Sequence, residues 1–187
     1  MREKIIDSAR EQIFKNGLRG FTMDDICHDL VMSKKTLYKH FSSKKELISS
    51  VVDLHVRNDK AATLKAIEQE TESVGRLRAV INCYYEYRIP LRLIDDFRKY
   101  LPAEWQKVDE LFAFKKELFI KLFLEGKDCG LFNPDINTDV LMLILDKSIS
   151  AIMNYEFLAA HDMNYMTVNR LLDEMKKIVF YGVVKRN

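Results

Sequence analysis

The sequence predicts an all-α protein, and three observations carry that prediction. Only 6 Gly and 3 Pro occur in 187 residues, too few for a fold that turns every ten residues. Apolar residues recur at three- and four-residue spacing along nearly the whole chain, and no alternating, strand-like stretch is present. The chain is 48% hydrophobic and 31% charged, enough apolar content to build a core and too much for disorder. The longest apolar run is Val140 to Leu145, far short of the roughly 18 residues that cross a bilayer. The N-terminus, MREKIIDSAREQIF, lacks a signal-peptide core. Cys27, Cys83 and Cys129 are odd in number and widely spaced, which implies neither a disulfide framework nor a metal knuckle. A cytoplasmic protein with no membrane partner and no cofactor is expected.

The elements follow in order. Residues 2–16 place Ile5, Ile6, Ala9, Ile13 and Phe14 at helical spacing, and Gly17 suits the position just past the end. Thr22 is a good N-cap for a short helix over about 23–30. Asp25 completes a capping box, with Phe21 and Ile26 at staple positions. Val31 and Met32 form a short gap before Ser33, a second cap, and Met32 and Leu37 bracket it as a staple. Ser43, with Glu46 three residues on, caps a long helix that runs to about residue 70. Further helices are expected over 75–88, stopped by Pro90, over 91–100, and over 103–128, ended by Gly130 and Pro134. Two more are expected from Asn137 or Thr138 to about His161 and from Thr167 to about Val184.

The first three helices, the second and third joined by a tight turn, make a helix-turn-helix. In that motif one helix lies across the DNA backbone and the next enters the major groove. Residues 33–41, SKKTLYKHF, fit the second role. At 100° per residue Leu37 and Phe41 share an inward face, while Lys35 and Lys39 point the other way with Thr36 and Tyr38 beside them. Net charge over the whole chain is only +2, yet Lys34 to Lys45 holds five lysines and one histidine with no acid. One-signed charge on a balanced chain is the footprint of a phosphate-contacting surface. A solvated lysine-rich helix is the plainer reading of the charges alone; three capped helix starts in 22 residues weigh against it.

Residues 2–47 resemble the DNA-binding domain of the TetR (tetracycline repressor) family of bacterial transcriptional regulators. The resemblance rests on FTMDDICHDLVMSKKTLYKHFSSKKEL, above all Thr22, Ile26, Ser33, Thr36-Leu37-Tyr38, Phe41 and Ser43-Lys44. It implies a helix-turn-helix domain over 1–47, joined through a long helix to a helical ligand-binding and dimerisation domain over 48–187. It implies DNA-binding positions at Thr22, Ser33, Lys34, Lys35, Thr36, Tyr38, Lys39, His40 and Lys44. By chemistry, Lys35 and Lys39 suit base edges and Lys34 either a base or a phosphate. Tyr38, His40, Lys44 and Thr22 suit phosphates. The sequence departs from the family at Val31, where the turn usually has Gly; a β-branched residue disfavours positive φ there.

The resemblance also implies a homodimer through the last two long helices, roughly 138–183, and a small-molecule effector that releases double-stranded operator DNA. The segment 138–160 is apolar nearly all round, and Val168, Leu171, Leu172, Met175 and Val179 form a stripe on the last helix. Burial in a single core is the alternative reading of both. Tyr84, Tyr85, Tyr87, Phe97, Tyr100, Trp105, Phe112, Phe114, Phe119 and Phe123 read more readily as core than as a ligand box. Met142 and Met153 are candidates to line a cavity, and Asn82, Arg88 or Asp146 to orient a ligand, without defining a site. His28, His40, His55 and His161 are scattered, and no HExxH, GxSxG or Gly-rich phosphate loop occurs, so an enzyme is not expected. The motif points to a DNA-binding regulator and the resemblance implies a ligand-released repressor; the same motif serves activators. The rival is a helical small-molecule-binding protein that no longer reads DNA, a reading that Val31 favours.

Overall fold

A computed structural model describes residues 1–86, 91–152 and 165–183 of the chain. The described residues form nine helices and no strand: α1 (Arg2–Gly20), α2 (Met23–Asp29), α3 (Lys34–His40), α4 (Lys44–Glu68), α5 (Ser73–Glu86), α6 (Leu91–Tyr100), α7 (Pro102–Asp128), α8 (Thr138–Ile152) and α9 (Tyr165–Val183). Two compact units result, one from residues 1–60 and 92–111, the other from 61–91 and 112–187.

In the first unit the amphipathic stripe of α1 is buried as its spacing requires. Ile5, Ile6, Ala9 and Ile13 are sequestered together with Phe21, Ile26, Leu37, Phe41 and Leu47. Gly17, at φ 79 and ψ 170, interrupts α1 by a kink rather than ending it, and helical backbone resumes to Gly20. Only glycine takes that conformation freely. Its Cα faces Leu93 of α6, 3.8 Å from where a Cβ would stand. Asp29, at the end of α2, is held from α1 by Gln12 at 2.7 Å and Ser8 at 3.2 Å. Arg2 lies over the Phe41 ring at 4.8 Å and donates to Ser50 at 3.1 Å.

In the second unit Leu77, Val80 and Ile81 of α5 pack with Phe119, Leu122 and Phe123 of α7 and with Leu141, Met142 and Leu145 of α8. Pro102 opens α7, a position where its missing N–H costs nothing. Gly130, at φ 71, closes that helix. Leu131 N–H reaches back to Gly126 O at 2.9 Å and Gly130 N–H to Lys127 O at 2.9 Å, a Schellman motif. That reversal lays Phe132 against Phe123, with ring centroids 5.3 Å apart. Asn137 caps α8, its side-chain oxygen accepting from Val140 N–H at 3.0 Å. Lys115 is buried and its ammonium donates to the Cys83 carbonyl at 2.6 Å. α9 packs on α8. No helix among the described residues is long and apolar enough to cross a membrane.

Candidate nucleic-acid interface

The side chains of α3 are aimed by their neighbours. Leu37 is fully buried and Phe41 nearly so. Because α3 is anchored along that line, Lys35 and Lys39, on its far side, are exposed. Tyr38 stands beside them, 49% exposed, and His40 is half-buried. Ser33 caps the helix: its hydroxyl accepts from Thr36 N–H at 3.1 Å and shares a hydrogen bond with the Thr36 hydroxyl at 2.9 Å. Lys34 is turned toward α2, in an ion pair with Asp24 at 2.8 Å. The hydrogen bond and charge of Asp24 raise the Lys34 pKa above its ordinary value. That pair is exposed on both sides and contributes little to stability, so Lys34 leaves it at small cost.

α2 begins with a complete capping box. Asp25 N–H donates to the Thr22 hydroxyl at 3.2 Å, and Thr22 donates to the Asp25 carboxylate from its N–H at 2.6 Å and its hydroxyl at 2.9 Å. These bonds, the backbone one first, hold the Asp25 carboxyl below the usual carboxylate range. The α4 start is built similarly. Glu46 N–H donates to the Ser43 hydroxyl at 3.1 Å, while the Glu46 carboxylate accepts from the hydroxyl and N–H of Ser42. These hold Glu46 low as well, the hydroxyl bond contributing most.

The turn between α2 and α3 departs from what valine favours. Val31 has φ 49 and its side chain is 94% exposed. Met32 N–H bonds to Cys27 O at 2.9 Å and Val31 N–H to His28 O at 3.3 Å. This is the Schellman pattern found again at the end of α7, here with a β-branched residue in the left-handed position. The turn therefore has ordinary helix-turn-helix hydrogen bonding, and Val31 bears a strain of about 1–2 kcal/mol.

Lys44 is placed unlike the other lysines of the segment. Its ammonium points into the protein, donating to Phe21 O at 2.5 Å and Arg19 O at 3.4 Å and lying 4.2 Å from the centre of the Phe21 ring. Burial lowers its pKa, and Asp25 opposes that shift. The strain at Val31 stands where the sequence placed it, whereas the inward turn of Lys44 and the Lys34–Asp24 pair depend on backbone geometry brought together across the fold. No spacing rule in the sequence announces them. The structure thus gathers Thr22, Ser33, Lys34, Lys35, Thr36, Tyr38, Lys39 and His40 on the α2–α3 pair and sets Lys44 behind it.

The residues named for the body divide differently. Phe97, Phe119, Phe123 and Met142 are buried core, and Asp146 is paired with Lys116 at 2.5 Å. Asn82 is exposed. Arg88, Met153 and His161, and the side chains of Tyr84, Tyr85 and Tyr87, lie outside the described residues. So does the expected end of the 138–160 helix, described here to Ile152. Among the described residues no three His, Cys, Asp or Glu side chains converge as a metal site would require.

Residues 5–51 match the family of bacterial regulatory proteins called the tetR family. The chain is 33% identical over 86 residues to the HTH-type transcriptional activator FasR of Mycolicibacterium smegmatis, an alignment covering 46% of the chain and 39% of FasR. It is 25% identical over 191 residues to the uncharacterised HTH-type regulator YvaF of Bacillus subtilis, covering 98% and 95% of the two. The structure resembles a TetR transcriptional regulator from Chloroflexus aurantiacus, with a TM-score of 0.76 and 16% identity over 99% of this chain and 96% of that one. At that identity the likeness establishes the fold.

Proposed function

We propose that the chain is a DNA-binding transcriptional regulator of the tetR family, which residues 5–51 match, and that it is a cytoplasmic, dimeric repressor that a small molecule releases from its operator. The observation that carries this reading is the face of α3. Two exposed lysines, Lys35 and Lys39, stand opposite a buried Leu37, on a helix whose start is capped by Ser33. In this reading 1–47 is the DNA-binding domain and 48–187 the regulatory one. Lys35 and Lys39 read base edges, with Thr36 and Ser33 beside them, while Thr22, Tyr38 and His40 meet phosphates and Lys34 exchanges Asp24 for DNA.

The dimer is supported by apolar surface that one copy leaves uncovered. On α8, Val140, Leu143 and Ile144 are each more than half exposed; on α9, Ile178 and Tyr181 are about 70% exposed. A second copy applying the same two helices buries both groups in one self-complementary contact. Two heads then reach half-sites on one duplex, where a single head grips few base pairs. Release follows by linkage, provided that the effector binds the DNA-free conformation more tightly than the bound one.

The experiment is a fluorescence-anisotropy titration against the DNA upstream of the protein's own gene, with a scrambled duplex as control, at two salt concentrations. Saturable binding at least about a hundredfold tighter than to the control is expected, within the usual specificity range of operator-binding proteins. No binding to either duplex at low salt would discard the reading in favour of a helical small-molecule-binding protein.

A further inference from the structure

The inward turn of Lys44 connects three helices. As the first residue of α4, it holds the carbonyl of Arg19, in the last turn of α1, and that of Phe21, just past its end. Carbonyls at a helix end lack partners within the helix, and a cation there also meets the negative end of the helix dipole. Phe21 is fully buried, and its backbone runs extended at φ −83 and ψ 154 directly into Thr22, the cap of α2. Fixing the Phe21 carbonyl therefore fixes where the chain leaves α1 and where α2 begins.

We propose that Lys44 is a positioning residue for operator recognition: it clamps the Arg19–Phe21 segment so that the α2 cap at Thr22 is presented to the DNA, and it does not itself neutralise a phosphate. This rests on the operator-binding reading given above. A direct phosphate contact and a clamp predict different salt dependence. Each phosphate neutralised contributes about 0.9 to the slope of log K against log salt. Removing a clamp weakens binding and leaves that slope where it was.

The test uses the full chain and an operator fragment. Lys44→Met keeps the length of the stem and removes the donors. It is expected to weaken operator binding about tenfold or more, with a slope equal to that of the unaltered protein. Ethylation interference is expected to fade at the phosphates beside Thr22 and to persist along α3. A slope smaller by about 0.9 would overturn the assignment while leaving the regulator reading in place. Absence of salt-sensitive operator binding by the unaltered protein would overturn both. Because Lys44→Met also removes a part-buried hydrogen bond, the unaltered protein gives a second readout that does not depend on how the variant folds. In nitrogen-15 spectra the Lys44 ammonium is expected to exchange slowly with water and to keep its shift on operator binding. A scalar coupling from that nitrogen to a DNA phosphorus would overturn the proposal.

Discussion

A methyl group placed on Gly126 would stand 2.1 Å from Cε2 of Phe132, deep inside the ring's volume. Phe132 is fully buried and stacks on Phe123, so it has nowhere to retreat. Alanine is otherwise the better helix former by about 1 kcal/mol. Overpacking in a tight core costs about 1–3 kcal/mol. Gly126→Ala is therefore expected to destabilise the protein, and a chemical-denaturation midpoint at or above that of the unaltered chain would show that Phe132 can repack.

Val31→Gly is expected to act in the opposite direction. The left-handed conformation at φ 49 suits glycine, and the exposed valine side chain loses no burial when removed. Relief of about 1–2 kcal/mol of strain is partly offset by the greater freedom of glycine in the unfolded chain, about 0.4–1 kcal/mol. The melting temperature should rise and operator affinity should be kept. A fall in affinity with unchanged stability would mean that the valine side chain touches DNA.

Lys35 and Lys39 are expected to separate from the rest of the basic segment in a base-substitution series. Lys35→Ala should relax preference at one base position by about 1–3 kcal/mol. Uniform weakening across all sequences would assign Lys35 to the phosphates instead.

The dimer face offers a charge test. Ile144, 55% exposed on one copy, is expected to lie at the contact between two. Ile144→Glu should yield a monomer mass in light scattering at micromolar concentration and weaken operator binding through loss of the second head. A dimer mass for that variant would move the interface away from α8.

Asp25 and Glu46 give the head a defined acid response. Both carboxyls titrate below their ordinary range when folded, because Thr22 and Ser42 donate to the charged forms. Stabilisation of this sign is complete above the unfolded carboxylate pKa, about 4, and is lost as pH falls through the lower folded values. The melting temperature should hold between about pH 7 and 5 on this account and fall below about pH 4. The double variant Asp25→Asn with Glu46→Gln should show a shallower fall over the acid range, and an unchanged curve would exclude the caps as its cause.

Local rules carried far into this molecule where they act over three or four residues. The Thr22 cap, the Ser33 cap and the outward side of α3 all follow from spacing, and each is found where that spacing puts it. Gly17 shows where such rules lose resolution. Its freedom at positive φ was legible, but that the helix kinks there and resumes to Gly20, with Leu93 of α6 alongside, was not. The buried Lys115 gave no signal, since nothing in its neighbourhood distinguishes it from the exposed lysines around it.

By itself the sequence determined the helical class, the order of the elements and the face of α3 that carries Lys35 and Lys39. Those depend on hydrophobic period and capping chemistry, which are local. Tertiary structure alone decided that Lys44 turns inward to the Arg19 and Phe21 carbonyls while its neighbour Lys45 stays exposed. It also decided that Gly126 must stay small beneath Phe132, and that Val140, Leu143 and Ile144 remain uncovered while Leu141, Met142 and Leu145 are buried. Each of these is a question of which surface meets which. A run of six apolar residues on one helix carries no mark of the side from which its neighbours will arrive.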